Sequence, residues 1–251
     1  MSNIKPRWCQ GHLQAALRVL PVSVVSGARQ TGKTTLTQML GPARTYFTLD
    51  DLGVLDQAAR NPDALLATRP VTLDEVQRAP RLLLAVKRAV DAQRHAGDFI
   101  LTGSANLLLM QHVSDTLAGR AIYLELPPFC PAEWQERDGA LTPLDRLFAA
   151  DFDWQTWPDE PGDWTAWLLR GGFPPALQID SDADRGLWFA AYIQTYLERD
   201  LRQLSAVSSL PDFQRIMALA AQRTGKLLNQ ASLARDAALS HPTAHRLPAP
   251  V

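Results

Sequence analysis

Residues 27–34, GARQTGKT, meet the pattern G-x-x-x-x-G-K-[ST], and they follow a short β-branched run, VLPVSVVS at 19–26. That order constrains the fold more than any other feature of the chain. A buried strand must deliver the chain into a tight turn, and the turn must open directly into a helix, because KTTLTQML carries helix formers with Leu36, Met39 and Leu40 on one face. Gly27 and Gly32 supply backbone conformations closed to other residues. The residues between and after them, Ala28, Arg29, Gln30, Thr31, Lys33, Thr34 and Thr35, then present successive amides, an ammonium group and hydroxyls to one centre. A polyanion such as a nucleotide phosphate chain is the ligand this arrangement suits, with Lys33 on the β- and γ-phosphates and the Thr34 hydroxyl on magnesium. The bare pattern arises by chance in roughly one chain in a hundred of this length. The strand-to-helix setting therefore carries the reading.

The rest of the first half alternates strand and helix. RTYFTLDDL predicts a second strand ending at Asp50, and a polar helical stretch runs through NPDALLATRP. VTLD at 71–74 is a third strand, and PRLLLAVKRAVDAQRH, from Pro80 to about His95, is an amphipathic helix. DFILTGS is a fourth strand, ANLLLMQHV a helix and AIYLEL a fifth strand. Alternation at this spacing predicts a parallel sheet flanked by helices, an α/β architecture, over residues 1–126.

Three further clusters lie where strands end. Asp74 and Glu75 close the third strand, 41 positions after Lys33. In that order Asp74 suits the water shell of a magnesium ion and Glu75 suits polarising an attacking water. ILTGS ends the fourth strand in small polar groups, so Thr102, Ser104 and Asn106 are candidates to sense a terminal phosphate, Ser104 preferred. Arg120, in LAGR before the fifth strand, is a candidate for transition-state charge, in cis or across a subunit interface.

Charge divides the chain unevenly. Residues 1–132 hold 14 basic and 10 acidic side chains, residues 133–183 hold 3 and 11, and residues 184–251 hold 8 and 5. With formal net charge −1, nothing global points to nucleic acid or to a membrane surface. Three regions are expected: a nucleotide-binding domain over 1–130, an acidic Trp- and Pro-rich linker with a small helical region over 131–183, and a helical region over 184–251. Four of the seven tryptophans fall between 154 and 167. Cys9 and Cys130 match no metal-ligand spacing and are expected reduced. No apolar run reaches the length of a membrane span and no signal peptide is evident, so a cytoplasmic location without membrane contact is expected.

SVVSGARQTGKTTL, YFTLDDL, VTLDEVQRAP, FILTGSAN, DTLAGR and LPPFCPAEW occur in this order, followed by LLRGGFPPAL and YIQTYLERDL. The ordered set resembles a family of bacterial and archaeal AAA+-like ATPases that carry a C-terminal domain of unknown function, often with winged-helix and nuclease-like parts. The resemblance implies binding and hydrolysis of ATP with magnesium, using Lys33 and Thr34 for phosphates and metal. It assigns Asp74 and Glu75 to metal and water, Ser104 to sensing, and Arg120 to a finger-like role. It names no substrate or partner: a homo-oligomer, a protein partner and DNA all stay open.

LLNQASLARDAALSHPTAHR reads as a helix-turn-helix, with one helix over 230–238, a turn at Leu239–Ser240 and a second helix opening at Pro242. Pro248 and Pro250 end that second helix soon after Arg246, where the family continues for a hundred or more residues, so the chain reads as C-terminally shortened. A recognition helix so short would not fill a groove. The alternative to turnover is a nucleotide-dependent, DNA-associated regulator or switch. A small-molecule kinase is disfavoured, since the Asp74–Glu75 pair suits water activation and no lid-like arginine cluster follows.

Overall fold

The computed structural model describes residues 4–41, 43–104, 116–136, 147–150, 153, 163–197 and 210–239. Two compact units divide the chain, Met1–Arg185 and Gly186–Val251.

The first unit is built on five parallel strands: β1 Val22–Ser26, β2 Thr45–Thr48, β3 Val71–Asp74, β4 Phe99–Thr102 and β5 Ala121–Glu125. Their spatial order is β2-β3-β4-β1-β5. Val22 pairs with Phe99 on one side and with Ala121 on the other, so β1 is an interior strand, and all five strands point the same way. β1, β3 and β4 are buried on both faces, which is why they read as near-continuous apolar runs.

Alternation along the strands sorts the core into two layers. Val24, Leu73 and Leu101 face helices α3 Leu52–Arg60, α4 Pro62–Leu65 and α5 Leu82–Ala92, with Leu65, Leu82 and Val86 fully enclosed. Val25 and Ile100 face the other way, against Leu13 of α1 Cys9–Val19 and Leu36 of α2 Lys33–Gln38. Truncating a side chain as enclosed as Leu36 to alanine costs about 2–5 kcal/mol. The parallel sheet flanked by helices is thus the one the strand–helix alternation predicts. The α1 helix, absent from that prediction, completes the second layer. The expected helix at 105–113 lies outside the described residues.

Residues 163–185 belong to the first unit. The Phe129 amide donates to the Gly172 carbonyl at 2.7 Å, and a Cβ at Gly172 would lie 2.2 Å from the Phe129 carbonyl oxygen, so the chain passes there only as glycine. Most of the tryptophan-rich segment, residues 154–162 included, lies outside the described residues.

In the second unit, a helix Leu210–Ala221 packs on a helix Gln230–Asp236 through Ile216, Leu233, Ala234 and Ala237. Asn229 caps the latter by accepting from the Ser232 amide at 2.9 Å. The first half of the predicted helix-turn-helix is therefore a helix. Its second half, from Ser240 on, lies outside the described residues. No helix among the described residues is long and apolar enough to cross a membrane.

Candidate functional site

Every strand of a parallel sheet ends at the same edge, and ligands of open α/β sheets bind outside that edge. β1 runs through Ser26 into the loop, β3 ends at Asp74, and β4 between them ends at Thr102 with Ser104 just beyond. Sequence positions 27–35, 74–75 and 102–104 are thereby brought to one place.

The loop needs its glycines. Gly27 has φ 147° and Gly32 φ 97°, and a Cβ at Gly27 would meet the Leu126 carbonyl oxygen at 2.4 Å. Gln30, at φ 62°, holds a left-handed conformation without being glycine. Gly32 is the N-cap of α2. Lys33 is buried and folds back over the loop, its ammonium donating to the carbonyls of Gly27 at 3.0 Å and Ala28 at 2.8 Å. Thr31 Oγ1 donates to the Ala28 carbonyl at 3.0 Å.

Asp74 is the hub of the site. Its buried carboxylate accepts from Thr34 Oγ1 at 2.9 Å, from the Tyr46 hydroxyl, from Thr102 Oγ1 and from the Glu75 amide at 3.1 Å. Thr34 and Asp74, forty positions apart, are thus in direct contact. Both are hard oxygen donors of the kind magnesium takes. Burial, and next the hydrogen bond to Asp74, push the Tyr46 phenol well above its ordinary range, so at neutral pH it is a donor.

Glu75 sits at φ 60°, ψ 41°, a left-handed conformation that costs a non-glycine residue about 1–3 kcal/mol. Its carboxylate accepts from Gln77 Nε2. Gln77 Oε1 is itself buried with no hydrogen-bond partner among the described residues. Thr102, a candidate phosphate sensor, spends its hydroxyl on Asp74. Ser104 is buried beyond it, and Asn106 lies outside the described residues.

Arg120 is not brought to this edge. It immediately precedes β5 at the opposite end of the sheet, its carbonyl accepting from the Val22 amide at 3.2 Å. The five strand residues Val22–Ser26, about 17 Å, separate that end from the loop. Its guanidinium donates to Asp91 on α5 at 2.6 Å and to the Ala118 carbonyl at 2.9 Å.

Beside the loop opens a cavity of about 190 Å³, lined among others by Ile4, Arg7, Thr31, Thr35, Phe129 and Trp134. Sequence reasoning missed Arg7, Tyr46 and Glu133. Arg7 belongs to none of the quoted segments, and Tyr46 and Glu133 lie in YFTLDDL and LPPFCPAEW without a residue type that marks them there, so tertiary contact alone reveals all three.

Residues 20–135 match a family model described as an AAA domain. The matched stretch contains the loop, the Asp74–Glu75 pair and all five strands of the sheet. Residues 20–135 are thus similar to an AAA domain and have a P-loop ATPase fold. Residues 162–247 match a separate model, a domain of unknown function, whose description names neither a winged helix nor a nuclease. The uncharacterized proteins Mb2031c of Mycobacterium bovis and Rv2008c of Mycobacterium tuberculosis are each 32% identical over 247 residues, covering 97% of this chain and 50% of the relative. The chain therefore spans about half the length of these curated relatives. Among solved structures, the Walker-type ATPase PABY2304 of Pyrococcus abyssi superposes with TM-score 0.54 at 16% identity, covering 97% of this chain and 96% of that one. At that identity the likeness speaks for the fold alone, not for chemistry.

Proposed function

We propose that this chain binds ATP with magnesium at the phosphate loop and hydrolyses it. The observation that carries the reading is the Thr34–Asp74 hydrogen bond of 2.9 Å, which holds together the hydroxyl and the carboxylate that would serve one metal ion. When bound, magnesium neutralises charge on the terminal phosphate oxygens. Lys33 and the amides of residues 27–35 would hold the phosphates, and Asp74, fixed by its donors, would hold the metal. Glu75, one residue on, would polarise water, and Ser104 would report the terminal phosphate. The cavity walled by Phe129 and Trp134 would take the nucleoside end. Arg120 could act only on a nucleotide held by another copy of the chain, which makes a homo-oligomer part of this reading.

The test is phosphate release from ATP by wild type, Lys33→Ala and Glu75→Gln, each with and without magnesium. Wild-type turnover should require magnesium. Lys33→Ala should lose nucleotide binding, whereas Glu75→Gln should keep binding and lose turnover by 100-fold or more, on the order of a general-base contribution. A wild type that binds ATP but releases no phosphate would leave a nucleotide-binding module without hydrolysis.

A further inference from the structure

Arg7 lies outside every nucleotide motif, yet its guanidinium is buried against the phosphate loop. Nη1 donates to the Thr31 carbonyl at 2.8 Å, Nη2 to the Pro127 carbonyl at 2.5 Å, and Nε to Glu133 Oε1 at 3.2 Å. Arg7 Cζ lies over the Phe129 ring, 4.1 Å from its centre. Glu133 is buried as well and accepts from the amides of Trp8 at 2.8 Å and Cys130 at 3.2 Å. One planar cation therefore joins three segments that are distant in sequence: the N-terminal stretch, the loop, and the chain leaving β5.

The contact to Thr31 has a directional consequence. A peptide unit is planar and trans, so its C=O and N–H point opposite ways. Holding the Thr31 carbonyl toward Arg7 turns the Gly32 N–H away from it. Gly32 imposes no preference of its own, since glycine at φ 97° can rotate more freely than any other residue. The loop's amides bind phosphate only when they converge, and something outside the loop has to set the most permissive of them. The five donors of a guanidinium can hold two carbonyls and a carboxylate together, which an ammonium group cannot do in one plane.

We propose that Arg7 is a positioning residue of the phosphate loop, fixing the Thr31–Gly32 peptide so that the Gly32 amide serves the anion. The inference rests on the reading of the loop as a nucleotide site. Glu133 holds Arg7 in place without touching the loop, and this separates positioning from mere stability.

The experiment compares wild type, Arg7→Lys, Glu133→Gln and Lys33→Ala of the full chain, measuring ADP–magnesium affinity by calorimetry and thermal midpoint without nucleotide. Arg7→Lys and Glu133→Gln break the same buried pair and should lower the midpoint similarly. Only Arg7→Lys should weaken ADP, by tenfold or more, while Glu133→Gln stays within threefold. Affinity that tracks the midpoint equally in both variants overturns the proposal, as does Arg7→Lys binding like wild type. Should Arg7→Lys not fold, Glu133→Gln decides: affinity within threefold despite a lowered midpoint supports it, and a tenfold loss sinks it. If wild type binds no nucleotide, the site reading and the inference fall together. If wild type binds and Lys33→Ala does not, the reading stands and the Arg7 comparison alone judges the inference.

Discussion

The Tyr46 hydroxyl donates to Asp74 Oδ2, the oxygen that also accepts from Thr34. Tyr46→Phe keeps the ring and removes one of the donors to a buried carboxylate. The others remain, so the cost should be that of a single hydrogen bond, about 1 kcal/mol at pH 7. Its pH dependence follows from the raised phenol. A group whose folded pKa lies above its unfolded value of about 10 contributes fully below pH 10, and that contribution is lost as pH rises toward the folded value. Urea midpoints of wild type and Tyr46→Phe should therefore differ at pH 7 and draw together above pH 10. A gap that widened with pH would contradict the hydrogen bond.

Gly27 and Gly41 both have positive φ, 147° and 96°, but they differ in room. A Cβ at Gly27 meets the Leu126 carbonyl oxygen at 2.4 Å, and a Cβ at Gly41 meets nothing within 4 Å. Gly41→Ala should cost about 1–2 kcal/mol, the left-handed penalty alone. Gly27→Ala adds a collision with backbone, so its cost should exceed that by about 1–3 kcal/mol, the scale of overpacking. Because the loop must shift to relieve the clash, ADP affinity should fall in Gly27→Ala and hold in Gly41→Ala. Denaturation midpoints and calorimetry on both variants test this.

These contrasts show what sequence could and could not reveal. Lys33, Thr34 and Asp74 were legible because the groups that serve phosphate and metal sit at strand ends, and strand ends follow from β-branched runs. The parallel sheet was legible for the same reason. Strand order was not, and it is the order β2-β3-β4-β1-β5 that gives Thr102 to Asp74 and leaves Ser104 beyond it. Tyr46 sits on a strand whose residues are all half-buried, so its alternation carries no functional sign. Arg7 and Glu133 are 126 residues apart, and no local pattern announces a contact of that span. Arg120 shows the opposite limit. Its place before β5 looked suitable in sequence, yet that place is the far end of the strand.

Cys9 stands two residues from Arg7, and burial pushes its thiol up despite the opposing pull of that guanidinium. A raised pKa means less thiolate at pH 8 and slower alkylation. Cys9 should react with iodoacetamide at least threefold more slowly than a small free thiol. The rate should recover in urea, where burial is lost. Mass spectrometry of the Cys9 peptide over time reads it directly, and a rate equal to the free thiol's would refute it.

Arg120 gives the sharpest test of whether copies of the chain cooperate. Its hydrogen bond to Asp91 draws that carboxyl below the usual range, so the pair helps folding only above pH 4 and is lost as pH falls. Both partners are solvated, hence Arg120→Ala should change stability little at neutral pH. Lying at the other end of β5, it should leave ADP affinity within twofold of wild type. If a neighbouring copy presents Arg120 to the nucleotide, wild-type turnover per chain rises with protein concentration, because the complete site forms only on association. Arg120→Ala should then turn over at least tenfold more slowly at high concentration and show no such rise, since it can associate without supplying the charge. Steady-state phosphate release across a hundredfold range of protein distinguishes the cases. A wild-type rate that is flat with concentration and matched by Arg120→Ala would remove Arg120 from the chemistry and reduce it to the surface pair that its geometry within one chain describes.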